Sequence, residues 1–366
     1  MPGIRASSRA LSVLAMVLLA GLAPAVAGCS GGPVDASSTR EGTGASLLTA
    51  LAHVADSASS RSWIWYDDTA AIAQTAGTGS RPGYQPKGFG SLRGIGTGTS
   101  TLESAQAAKD TGINIYNEGY SITAGTLPKA MTLIHGGQNP VAVNVSLAAL
   151  GWQDNRGTLQ APPPSVDMEE PVDSAIARRS YAFTLNQVKP SGPDVKFGNS
   201  GTNLDAIGSP SGPTLASDPL IGALANCLGD VVAAEFNVHG SYYGQRVGRG
   251  PVEVAIGVLR PASNTATPRT VVCAAWPSEN AAKRYAGDVQ QAISTETPIA
   301  GKQSYSTTFT NVTVTRVGGG QHIVQWQADN RAGVGTVFGM MQLFELPALP
   351  SCQLAREAHV RPIGCD

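Results

Sequence analysis

The sharpest pattern in the chain is an alternation of apolar and polar positions near its C-terminal end. Val312 and Val314 alternate with Thr313 and Thr315. After Gly318-Gly319-Gly320, the positions His322, Val324, Trp326 and Ala328 alternate with Ile323, Gln325 and Gln327. A period of two marks a strand with one buried face, so this stretch predicts a hairpin. The runs Val231–Val238, Val252–Leu259 and Thr270–Trp276 also read as strands. Helical spacing takes over at Leu220, Leu224, Cys227 and Leu228, with Asp218-Pro219 as N-cap and first-turn proline and Gly229 as the stop. A second helix follows Ser278, its stripe formed by Ala282, Tyr285, Ala286, Val289 and Ile293, and Val334–Leu346 reads as a buried helix.

Closer to the N-terminus the pattern predicts helices at Ser46–Val54, Asp68–Ala76, Leu102–Lys109 and Asn139–Leu150. Strands are predicted at Ser62–Tyr66, Ala130–His135 and Tyr181–Val188, and Gly77–Thr99 reads as a long Gly-rich loop, functional or disordered. Helices flank runs of consecutive strands rather than alternating with them, which points to α+β with mainly antiparallel sheets. The Ser/Pro/Gly stretch Ile207–Pro213 is the natural seam between a first domain at 45–206 and a second at 214–350. Leu47–Ala52 aligns with Leu220–Ala225 near the start of each, which raises an internal duplication as a possibility.

The leader changes the picture of where the chain resides. Arg5 and Arg9 precede the apolar run Ala10–Leu22, too short for a bilayer span and laid out as a signal peptide is. Val26-Ala27-Gly28-Cys29 then resembles the lipobox of bacterial lipoprotein precursors. That resemblance implies removal of residues 1–28, lipid on Cys29, and a protein held to the extracytoplasmic face of the cell membrane. The alternative is an ordinary secretory signal cut after Ala25-Val26-Ala27. Residues 29–44 would be the lipidated cysteine and a polar tether. The abundance of Ala, Gly, Thr and Pro is similar to that of proteins from high-GC actinobacteria.

With Cys29 lipidated, four cysteines remain: Cys227, Cys273, Cys352 and Cys365. An oxidising compartment favours two bridges among the three possible pairings. Nearness in sequence joins Cys352 to Cys365 across the tail at 351–366. Cys227 on its apolar helix stripe is left to pair with Cys273 in the apolar run Val271–Ala275. Neither CxxC nor Cys/His ligand spacing occurs, so no zinc site and no cofactor are expected. Charged residues make up 14% of the chain, the formal net charge is −1 and there is no basic run, which argues against nucleic-acid partners.

Catalytic motifs are weak. No Gly-x-Ser-x-Gly elbow is present, and His135-Gly136-Gly137, although it resembles an esterase oxyanion loop, reads better as a strand turning into the helix at Asn139. His53, His239, His322 and His359 are scattered, with His322 at a hairpin end. Asp68 in Asp67-Asp68 reads as an N-cap, Glu169-Glu170 as a solvated segment, and Gly94-x-Gly96-x-Gly98 lacks the βαβ setting of a dinucleotide site. The candidate contact surface is the loop His239–Gly250, where Tyr242, Tyr243, Arg246 and Arg249 suit a cell-wall glycan or an envelope protein. Arg81, Tyr84, Lys87 and Phe89 offer similar chemistry. The expected function is binding or assembly without catalysis at the cell envelope. An envelope hydrolase and a transporter's solute-binding subunit are the alternatives.

The lipid anchor is tested directly. Cys29→Ala abolishes metabolic fatty-acid labelling and leaves the product uncleaved or released. A labelled mutant in the membrane fraction contradicts the anchor.

Overall fold

Apolar residues facing both sides of a strand need cover on both sides, and the computed structural model provides it around one sheet. The described residues are 45–77, 88–162, 180–238, 250–298, 303–318, 320–342 and 345–350. Cys29, Cys352, Cys365, Tyr242, Tyr243, Arg246 and Arg249 lie outside them, as do Arg81, Tyr84, Lys87 and Glu169-Glu170. The fold class is α+β. Among the described residues no helix is long and apolar enough to cross a membrane.

The strands are β1 (Trp63–Asp67), β2 (Tyr120–Ala124), β3 (Met131–His135), β4 (Gln153–Asn155), β5 (Thr158–Gln160), β6 (Gln187–Ser191), β7 (Asp194–Gly198), β8 (Val231–Val238), β9 (Glu253–Leu259), β10 (Arg269–Ala275), β11 (Phe309–Val317) and β12 (Ile323–Asn330). They lie in the order β11-β12-β10-β9-β8-β1-β2-β3-β7-β6-β5-β4. Every pairing is antiparallel. The helices are α1 (Ala45–Ala52), α2 (Thr69–Ala76), α3 (Ala105–Thr111), α4 (Pro140–Ala149), α5 (Pro219–Leu228), α6 (Glu279–Thr295) and α7 (Thr336–Gln342).

The two stretches expected as separate domains share this sheet. β8 pairs with β1 at its centre, Trp65 opposite Glu235, and isolated bridges join Val54 to Ile207 and Ala55 to Thr214 across the expected seam. Residues 207–213 therefore carry the chain from one half of the sheet to the other. The first half runs α1-β1-α2-α3-β2-β3-α4-β4-β5-β6-β7 and the second α5-β8-β9-β10-α6-β11-β12-α7. Outward from the centre the first half lies in the order β1, β2, β3, β7, β6, β5, β4 and the second in the order β8, β9, β10, β12, β11. α1 and α5, which contain the similar segments Leu47–Ala52 and Leu220–Ala225, open the two halves.

One face of the sheet is covered by α1 and α5, which bury Leu47, Leu51, Ile221 and Leu224 against Ile64, Tyr66, Phe236 and Val271. On the other face α6 and α7 bury Tyr285, Val289, Phe338 and Met341 against Ile256, Val272 and Trp326. On that same face α4 buries Val143 and Leu147 against Ile134, Val195 and Phe197. The caps are those the sequence implies: Asp68, Asn139, Asp218 and Ser278 each accept backbone N–H groups at a helix start.

Two expected elements differ. Tyr181–Val188 begins as a helical turn, with Leu185 N–H donating to Tyr181 O at 2.6 Å, and the strand starts only at Gln187. Tyr181 and Leu185 are both buried, and their spacing of four is helical. The helix expected to reach Leu346 stops at Gln342, and Glu345–Leu346 pairs with Leu349–Pro350. Pro347 disfavours helical backbone at Leu346.

α5 lies on β9 and β10 and brings Cys227 to Cys273, with Cα atoms 6.2 Å apart in a disulfide. The bridge closes a separation of 46 residues. On the chain-entropy account a loop of that size contributes about 4 kcal/mol. Replacing both cysteines by Ala lowers unfolding free energy by roughly that amount in urea titrations. A change under about 1 kcal/mol contradicts this role for the bridge.

Candidate functional site

The register places one row of side chains across the helix α4/α6 face of the sheet. From β11 it runs Val314, Trp326, Val272, Ile256, Glu235, Trp65, Thr123, Thr132, Phe197, Val188 and Leu159. The row is apolar on both flanks and turns polar in its middle, on β8, β2 and β3, with Trp65 of β1 between them. A polar interruption in a covered row needs partners or a purpose. One register step along, Asn237 stands opposite Trp63, and on the other side Asp67 pairs with Ser121.

Asp67 holds down the Gly-rich segment. Its carboxylate is fully buried and accepts N–H groups from Gly94 at 3.1 Å and Gly96 at 2.9 Å. It also accepts the hydroxyls of Ser121 and, at 2.5 Å, Thr69. Gly94 has φ 83°, and a Cβ on Gly96 would stand 2.4 Å from Ser121 O and 2.6 Å from Asp67 Oδ1. No larger residue allows this approach at Gly96. The Gly94-x-Gly96-x-Gly98 pattern is thus a clamp on a buried carboxylate.

Glu118 joins the cluster. Thr69 Oγ1 lies 2.5 Å from Asp67 and 2.8 Å from Glu118, yet a hydroxyl has one proton to donate. The second hydrogen bond needs a protonated carboxyl. Burial, and then the charge of Asp67, push Glu118 well above the ordinary carboxylate range, so Glu118 holds that proton. Arg93, also buried, donates to Tyr116 O and stands 5.0 Å from the Tyr116 ring centroid.

Beside this cluster opens a pocket of about 420 Å³, within the usual small-molecule range. Trp63 and Trp65 form one wall, their rings stacked with centroids 6.2 Å apart. Thr97, Thr99, Thr123, Thr126, Thr132, Thr184 and Asn199 supply hydroxyl and amide groups, and Phe197 adds a third aromatic. Leu127 and Phe183 also line it while remaining 63% and 68% exposed, an apolar rim. Among the described lining residues none carries a carboxylate, imidazole, ammonium or thiol.

The chain matches no protein-family model, no curated protein and no solved structure. Its function is therefore argued from these side chains alone.

The sequence motifs fall into place around the site without forming it. Phe89, expected in a contact loop, is buried in the core because its short helical turn packs with Leu92 against the sheet. Asp68 caps α2 and pairs with Arg260 at 3.0 Å. His135 ends β3 on the opposite face, stacked on Tyr120 with centroids 4.5 Å apart and 3.2 Å from Asp194. His53 meets Tyr120 Oη at 3.1 Å. The pocket itself escaped notice in the sequence. Its signal was Trp63-x-Trp65, two indoles at strand spacing beside a threonine-rich stretch.

Buried carboxyls set the pH response, and Asp67 is among those that burial raises. Burial raises Glu118 and Glu235 well above their ordinary value, while burial and then Asp218 raise Glu253 to about 9, against an opposing pull from Arg61. A folded pKa above the unfolded one gives stability that is full below about pH 4.5 and is lost as pH rises toward the folded value. This contribution accordingly falls between about pH 4.5 and pH 9, and Glu253→Gln flattens the decline of the urea midpoint across that range. An equal slope in that variant contradicts the assignment.

Proposed function

We propose that the protein is a lipid-anchored lipoprotein of the cell envelope that binds a neutral saccharide in the pocket beside Trp63 and Trp65, without catalysing a reaction on it. The observation that carries this reading is the lining: two flat indoles and two phenylalanines against hydroxyls and an amide, with no charged side chain among the described residues. A pyranose has the complementary surface, C–H groups on its faces and hydroxyls at its edge. Aromatic faces take the former at little conformational loss, and threonine hydroxyls exchange hydrogen bonds with the latter. Charged ligands would leave their counter-charge unmet in such a lining.

The anchoring half of the proposal rests on Val26-Ala27-Gly28-Cys29 and the leader before it. With lipid on Cys29, the membrane is the first partner and a glycan of the envelope the second. The all-antiparallel sheet differs from the alternating β and α units that a solute-binding transporter subunit would bring. Proton transfer to a substrate in the pocket has no titratable lining residue to perform it among the described residues. Both alternatives are therefore less well supported than binding.

Intrinsic tryptophan fluorescence tests the pocket. Titration with neutral oligosaccharides shifts the emission of the wild-type chain. Trp63→Ala and Trp65→Ala each weaken binding at least tenfold, the loss expected when one aromatic contact of about 1.5 kcal/mol goes. Wild-type fluorescence and calorimetry flat across the sugars tested would remove the reading.

A further inference from the structure

Glu235 and Asn237 stand two residues apart on β8, facing the side of the sheet on which the pocket lies. Glu235 is 0% and Asn237 1% exposed. Among the described residues, neither carboxyl oxygen of Glu235, nor the amide oxygen or nitrogen of Asn237, has a hydrogen-bond partner. Buried polar groups are nearly always paired, and two unpaired neighbours on one strand face call for a ligand group to pair them. Directly opposite them on β1 are Trp65 and Trp63, the two indoles that wall the pocket. The polar pair therefore lies immediately behind that wall.

We propose that Glu235 and Asn237 are the inner half of the binding site, reached when the indoles move aside, and that they select an N-acetylated amino sugar by its amide. The proposal deepens the saccharide reading and rests on it. Two positions on one strand face are about 6.6 Å apart. A trans amide, with a hydrogen bond at its N–H and another at its C=O, spans about 8 Å between partner atoms. A hydroxyl oxygen bridging two partners spans only about 5.5 Å. The strand spacing lies between the two spans, and the amide is favoured because its donor and acceptor sit on separate atoms, one for each side chain, whereas a hydroxyl must serve both from a single oxygen. Asn237 Oδ1 accepts the amide N–H, and Glu235, as a neutral carboxyl, donates its proton to the amide C=O. Burial alone keeps Glu235 neutral. The pyranose ring then stacks on the displaced indoles, and its hydroxyls stay with the threonines of the outer pocket.

Chitotriose and cellotriose share a β-1,4 backbone and differ in carrying an acetamido group or a hydroxyl at each ring, so they isolate the amide. Both are titrated against the detergent-solubilised full chain by fluorescence and calorimetry. Wild type binds chitotriose at least tenfold more tightly than cellotriose. Glu235→Leu and Asn237→Leu each erase that preference while Tm holds or rises, because an unpaired polar group gives way to an apolar one of similar size. Glu235→Gln, which keeps a donor, retains the preference. Equal affinity of wild type for the two sugars overturns the proposal whether or not the Leu variants fold, and so does a preference that survives both. If both sugars bind equally and Trp63→Ala weakens both, the inner half is wrong and the pocket reading stands. If neither binds, both readings fall.

Discussion

The hydrogen-bonded ladder between β1 and β8 is the contact on which the rest of the molecule depends. The first half of the chain forms seven strands and the second five, and each set ends, on the inner side, at one of these two. Apart, each half would leave an open central edge. Joined, they make one twelve-stranded sheet with β4 and β11 outermost. The same ladder sets the chemistry of the middle by placing Trp65 against Glu235 and Trp63 against Asn237. Its register also carries Asp67 to the point where the Gly-rich segment crosses the sheet.

What could be read from the chain follows the range of the forces involved. Helices with caps and strands with clear alternation, such as α5, α6 and β12, are specified by neighbours a few residues away, and their residues announce them. The Cys227–Cys273 bridge was legible for the same reason: a helix stripe and an apolar strand close in sequence. β2 was not. Its residues Tyr120-Ser121-Ile122-Thr123-Ala124 are all buried, but on one face they are polar, because Ser121 serves Asp67 and Thr123 lines the pocket. Its pattern looks like a half-exposed segment. Joining of the halves was hidden too, since Trp63 meets Asn237 across nearly half the chain and no local pattern encodes that pairing.

The polar centre divides into two parts with different energetics. Around Asp67 both carboxylate oxygens are met, and the cluster ties Gly94, Gly96, Thr69, Ser121 and Glu118 into one network, so it fixes conformation. Around Glu235 and Asn237 nothing is met, so this part gives up stability. Satisfied and unsatisfied groups thus sit on adjacent rows of one face. Rigid support beside an unmet polar pair is the arrangement expected where binding, rather than folding, supplies the missing partners.

The position of β8 late in the chain also has a consequence for how the protein is made. A ribosome delivers β1, β2 and β3 well before residue 231 exists. During that interval the strand destined for the centre of the sheet presents an unpaired edge, with Trp63 and Trp65 beside it. Such an edge templates pairing with other chains. Closing the ladder afterwards demands a contact between distant residues, which is entropically slow. Until its second half arrives the chain is therefore exposed to association through that edge, and the exposure ends when β8 reaches β1.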